Sequence, residues 1–265
     1  MVNLLKESFY RDFRIAFSYK VAFYGTFINL GINLFLFFYL SKIVEPSSSY
    51  INTTSYFVFL LYGAALTDFS IQIINSVQSQ IRTFQTTGVI ESLIGQRYGE
   101  IPIIISGAAY PSAFGFFRLF IYLFVGNILM ETNIFNLNNM VYSIIALFLF
   151  FISIIGICLA ASSMTLLLKK GNPIAYIYFA MSTSLGGVVV PVGVFPEYLQ
   201  YISGLLPIKH SLDIVRSLEG GVGVDNLYTS FISLASLSLA LLVLGICLFN
   251  HSVSVSKKTG TIGLY

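Results

Sequence analysis

Tryptophan is absent from the 265 residues, charged side chains make up only 9%, and there are two histidines and two cysteines. A soluble domain carries roughly 25% charged residues. With 56% of its residues hydrophobic, this chain cannot give each helix a polar face, so lipid must solvate most of its length. Cys158 and Cys247 lie inside apolar runs, where a thiol acts as a small hydrophobe, which argues against a disulfide framework or a zinc site. His210 and His251 form no His-Glu-x-x-His motif, and no Cys-x-x-Cys pair exists. His210 and Asp213 share one short segment without a nucleophile signature, so Ser–His–Asp catalysis is disfavoured. No phosphate loop of the form Gly-x-x-x-x-Gly-Lys-Ser/Thr occurs, which excludes that mode of ATP binding. The excess charge of +3 is not gathered into a basic stripe, so nucleic-acid binding has no support. The first twenty residues are charged and amphipathic, unlike a cleavable signal peptide.

What is present is a series of long apolar runs. A helix needs about 20 apolar residues to cross the hydrocarbon, and such runs occur near 21–43, 55–79, 101–130, 139–168, 173–195 and 226–250. These predict an all-α polytopic membrane protein with six transmembrane helices, since a barrel would show short alternating segments instead. The third and fourth runs are long enough to require tilt, breaks or interfacial ends. Starting the N-terminus in the cytoplasm places Lys6, Arg11, Arg14, Lys20, Arg82, Arg97, Lys169, Lys170, Lys257 and Lys258 inside. Lys42, Lys209 and Arg216 then lie outside, and Arg118 falls within a span. That asymmetry predicts both termini in the cytoplasm.

Residues 3–18 read as a helix lying on the membrane. At about 100° per residue, Leu5, Phe9, Phe13, Ala16 and Phe17 share one side and Glu7, Arg11, Arg14 and Ser18 the other. The bland alternative is a soluble N-terminal helix packed on a partner. Two connections are too structured for simple turns. Residues 82–97 carry a break at Thr86, Thr87 and Gly88, then a short amphipathic helix bearing Val89, Ile90, Leu93 and Ile94. Residues 191–221, punctuated by Pro191, Pro196 and Pro207, hold amphipathic pieces around Tyr198–Leu205 and Ser211–Leu218. They are expected at the outer interface or dipping into it. No internal repeat or linker occurs, so 1–265 is read as a single transmembrane domain.

Asp68 and Arg118 are the two charges inside predicted spans. A charge at membrane depth costs several kcal/mol unless paired or hydrated, which makes both functional-site candidates. They serve either as a structural ion pair between the second and third spans or as a polar element on a substrate path or subunit seam. Ser70, Gln72, Asn75, Ser76, Gln78 and Ser79 continue the polar character of the second span, as interhelix glue or as the lining of a hydrated vestibule.

At the two structured connections the sequence resembles the ABC-2 family of exporter permeases. The family's cytoplasmic pattern, roughly Gly-Thr-Leu-Glu-x-Leu-Leu, appears as Gly88-Val89-Ile90-Glu91-Ser92-Leu93-Ile94, with Val89 where Thr is usual. Its extracellular pattern is matched by Gly187, Pro191, Pro196, Leu199, Gln200, Pro207, His210 and Arg216, while Phe195 and Lys209 depart from it. The tail from Lys257 to Tyr265 is similar to the family's basic, Gly-Thr-Leu-type ending. The resemblance implies an N-terminal interfacial helix, six spans, a coupling helix with Gly88, Glu91, Leu93 and Ile94 at its centre, and a re-entrant extracellular pair before the last span. It also implies a separate ATP-binding cassette subunit that binds ATP and Mg, no cofactor on this chain, a second permease copy or homologue, and export of a drug, lipid, glycolipid or peptide. A prokaryotic cell membrane is the expected location. A stand-alone channel, scramblase or ion-driven carrier is the alternative, and a membrane-embedded transferase would need clustered His, Asp or Glu.

Overall fold

The computed structural model describes residues 2–44, 56–88, 99–130, 137–168, 173–220 and 227–259, and among these no strand occurs. The chain begins with α1 (Val2–Ser18) and α2 (Lys20–Val44), followed by α3 (Tyr56–Thr86), α4 (Glu100–Gly107) and α5 (Ala109–Met130). The remaining helices are α6 (Leu137–Leu168), α7 (Pro173–Leu185), α8 (Glu197–Gly204), α9 (Pro207–Glu219) and α10 (Tyr228–Thr259). Helices dominate because a chain with few charges and long apolar runs must satisfy its backbone polar groups within each segment.

Among the described residues, five stretches are long and apolar enough to cross a membrane: Phe23–Ile43, Tyr56–Thr86, Ile101–Ile128, Met140–Leu167 and Tyr228–Lys258. The fifth predicted span, 173–195, is helical over only part of its length. Only Pro173–Leu185 is helical there, 13 residues or about 20 Å at 1.5 Å per residue, short of the ~30 Å hydrocarbon layer. The cause is local: Gly187 takes a left-handed φ of 75°, and the backbone runs through irregular structure to the 3-10 turn at Val192–Val194. The long third run is broken, as its length required. Pro111 has no N–H to give to the carbonyl of Gly107, and α4 gives way to α5 at Ala108.

Helix α3 is the axle of the bundle. Phe57, Leu61, Phe69, Ile73, Ile74 and Val77 are buried within it, and it touches α2, α5, α6, α7 and α9. Helices α6 and α10 form a close pair in which backbone meets backbone. A Cβ on Gly156 would lie 2.5 Å from the carbonyl of Leu241, and one on Gly245 would lie 2.3 Å from the carbonyl of Gly156. Such approach through small residues replaces the hydrophobic drive that lipid removes. Helix α1 lies against α4 and α5, with Ser8 Oγ donating to Ser106 Oγ at 3.1 Å and Phe9 and Phe13 edge-on to Tyr110. Its basic side carries Arg14 stacked over Tyr10.

Candidate functional site

The sequence candidates fall at the two ends and the middle of α3. In the middle, Asp68 and Arg118 meet across the α3–α5 contact. Arg118 Nη2 donates to Asp68 Oδ1 at 2.7 Å and Nη1 to Gln72 Oε1 at 3.1 Å. The side chain of Arg118 is 8% exposed and that of Asp68 25%. Arg118 Nε is buried with no hydrogen-bond partner among the described residues. The pair is therefore closed at the arginine and open at the carboxylate.

Steps of three and four residues place Asp68, Gln72, Asn75, Ser79, Arg82 and Thr86 on one side of α3, opposite its buried apolar side. The last four of these are exposed. The result is an open polar track from the ion pair to the end of the helix, which stops at Thr86 before Gly88 takes a φ of 70°. Beyond it, Glu91, Leu93 and Ile94 lie outside the described residues. On the buried side, Gln78 and Thr165 hydrogen-bond to each other and join α3 to α6.

At the opposite end of α3, the broken segment docks. Arg216 of α9 donates through Nη1 to the carbonyl of Gly187 and through Nη2 to that of Phe59, both at 2.7 Å, and more weakly to Val188 O at 3.4 Å. Its guanidinium also lies 3.5 Å from the centre of the Phe59 ring. Burial lowers its pKa to about 9, still a cation at neutral pH. The nearby fit is tight: a Cβ on Gly63 would lie 2.5 Å from Val188 O. Tyr56 adds a hydrogen bond from its hydroxyl to Val189 O at 3.0 Å. Glu219 lies one turn along α9, and burial holds its carboxyl above the usual range.

His210 shares its Nε2 with the carbonyl of Gly204 at 2.8 Å, which ties α9 to the end of α8, and burial holds its pKa below the ordinary value. Pro207 starts α9, while Pro191 and Pro196 flank the short turn before α8. Lys209 and Asp213 form an i,i+4 pair at 3.1 Å.

The match to the ABC-2 type transporter model runs over residues 2–219, from α1 through the end of α9. The chain belongs to the ABC-2 type transporter family. It is an integral, multi-pass membrane protein and a transport component. A comparison with individually curated proteins gave no match. The ion pair was legible from two charges in apolar runs. The carbonyl cage around Arg216 was not, because backbone oxygens have no sequence signature.

Proposed function

We propose that this chain is the permease half of an ATP-driven exporter for an amphiphilic substrate such as a drug, lipid, glycolipid or peptide. ATP and Mg bind a separate ATP-binding cassette subunit, and two permeases complete the pathway. The observation that carries this reading is the open polar track on α3. A substrate with a polar head can follow it past the Asp68–Arg118 pair while its apolar part stays in lipid. At the end of the track, Gly88 opens the segment whose sequence resembles the family's coupling helix. An ATPase closing there would bias the packing of helices joined to α3. The ion-driven alternative needs a titratable group free to exchange protons, whereas Asp68 is held at 2.7 Å by Arg118.

Replacing Leu93 with Asp tests the assignment. An apolar anchor at the centre of such a groove is worth about 2 kcal/mol or more, roughly 30-fold in affinity. The variant should insert normally but lose its ATPase on copurification, or hydrolyse ATP without transport. Normal copurification with transport at the unaltered rate removes the coupling role of this segment.

A further inference from the structure

The deep end of the polar track on α3 presents one accessible charge, and that charge is negative. Asp68 Oδ1 accepts from Arg118 Nη2 at 2.7 Å, while its other oxygen takes no hydrogen bond from the described residues. The side chain of Asp68 is 25% exposed and that of Arg118 only 8%, so a molecule on the track meets the carboxylate first. The second terminal nitrogen of the guanidinium is engaged by Gln72 Oε1 at 3.1 Å, and Nε is buried. An open carboxylate edge at membrane depth needs water or the donors of a ligand, because lipid supplies neither. Asn75 and Ser79, the next exposed groups along the track, are uncharged. The other charge on it is Arg82, about 21 Å away at 1.5 Å per residue.

We infer that Asp68 anchors the head group of the exported substrate, and that this head is cationic, an ammonium on an amphiphile. The inference names the substrate class within the exporter reading and rests on it. The order of charges along the track suits such a head. Arg82 lies one turn from the end of α3, where salt screens a like charge passing it. Asp68 lies near the middle of the helix, where the surroundings screen its attraction far less. The Asp68–Arg118 pair is neutral as a whole, but a cation at the open oxygen sits nearer the carboxylate than the guanidinium. The balance is attractive for a cation and repulsive for an anion at the same place. An ammonium N–H donated to that oxygen makes a charge-assisted bond, stronger than the one a hydroxyl head would make.

Three amphiphiles with one tail isolate the head group: dodecylammonium, dodecanol and dodecanoate. The full chain with its ATPase, in discs of zwitterionic lipid, is read by thermal unfolding of the permease and by ATP hydrolysis. Dodecylammonium should raise the midpoint and stimulate hydrolysis at a concentration about tenfold below dodecanol, as expected for a hydrogen bond to a charged group. Dodecanoate should do neither. Asn75→Lys, at an exposed position two turns from Asp68, should raise the dodecylammonium requirement several-fold and leave that of dodecanol unchanged. Asp68→Asn, which keeps an acceptor for Arg118, should erase the difference between dodecylammonium and dodecanol; if it does not fold, Asn75→Lys decides alone. Equal responses to dodecanoate and dodecylammonium, or an Asn75→Lys variant that shifts every head alike or none, overturn the cationic head. The exporter reading still stands in that case if the ATPase copurifies and its hydrolysis responds to the amphiphiles. A chain that captures no ATPase, yet whose midpoint rises only with dodecylammonium, does the reverse.

Discussion

A single charge in hydrocarbon is costly and a paired one is tolerable, which is why Asp68 and Arg118 occur in facing helices. Their geometry makes the two ends unequal, since the guanidinium is enclosed and the carboxylate is partly open. Removing either partner strands the other. Arg118→Ala or Asp68→Ala should each lower stability by about 3 kcal/mol, the usual cost of breaking a buried pair. The swapped double, Asp68→Arg with Arg118→Asp, should recover part of that loss as read by thermal unfolding in detergent. Strict additivity of the two single effects would show that the 2.7 Å contact contributes nothing. Gln72, which takes the second arginine N–H, was visible in the sequence only as one of several polar residues on the helix. Its selection depends on which side of α3 meets α5.

At the scale of elements, the segment after α7 departs most from its sequence expectation. Hydropathy over 173–195 is that of a span, but Gly186 and Gly187 end the helix after 13 residues. The chain that follows folds back as α8 and α9 onto the end of α3. Arg216 donates to the freed carbonyls of Gly187 and Val188 there and ties them to α3 through the carbonyl of Phe59. This docking is sensitive to a single methyl group. Gly63→Ala places a carbon 2.5 Å from Val188 O, and overpacking of that kind costs about 1–3 kcal/mol. The variant should unfold at lower temperature. Gly31→Ala, where nothing lies within 4 Å of the added carbon, should leave the midpoint unchanged or raise it. Equal midpoints for the two variants would show that the fit at Gly63 is loose.

For the whole molecule, α3 is an unbroken helix of 31 residues, about 46 Å at 1.5 Å per residue, which exceeds the hydrocarbon thickness. One rod thus joins the polar track and Gly88 at one end to the Arg216 cage at the other. The excess of Lys and Arg on the side bearing α1 and Gly88 sets the proposed orientation. A cysteine at Tyr201, 78% exposed on α8, should react with an impermeant thiol reagent in intact cells. One at Thr86, exposed at the opposite end of α3, should react only after permeabilisation. Labelling at position 86 from outside would invert the orientation and remove the coupling assignment with it.

The sequence by itself determined the solvent, the all-helical class, the structured connection after α7 and the two intramembrane charges. Each of these follows from local composition: too few charges for water, runs long enough for lipid, prolines and glycines at the breaks, an Asp and an Arg where apolar residues surround them. Tertiary structure alone decided that the fifth apolar run stops short, because whether a glycine pair ends a helix depends on what receives the freed carbonyls. Here the receiver is Arg216, more than 25 residues further along the chain. It alone also decided that α3 is the axle and that its polar side stays open, since periodicity defines a side of a helix but not its neighbour.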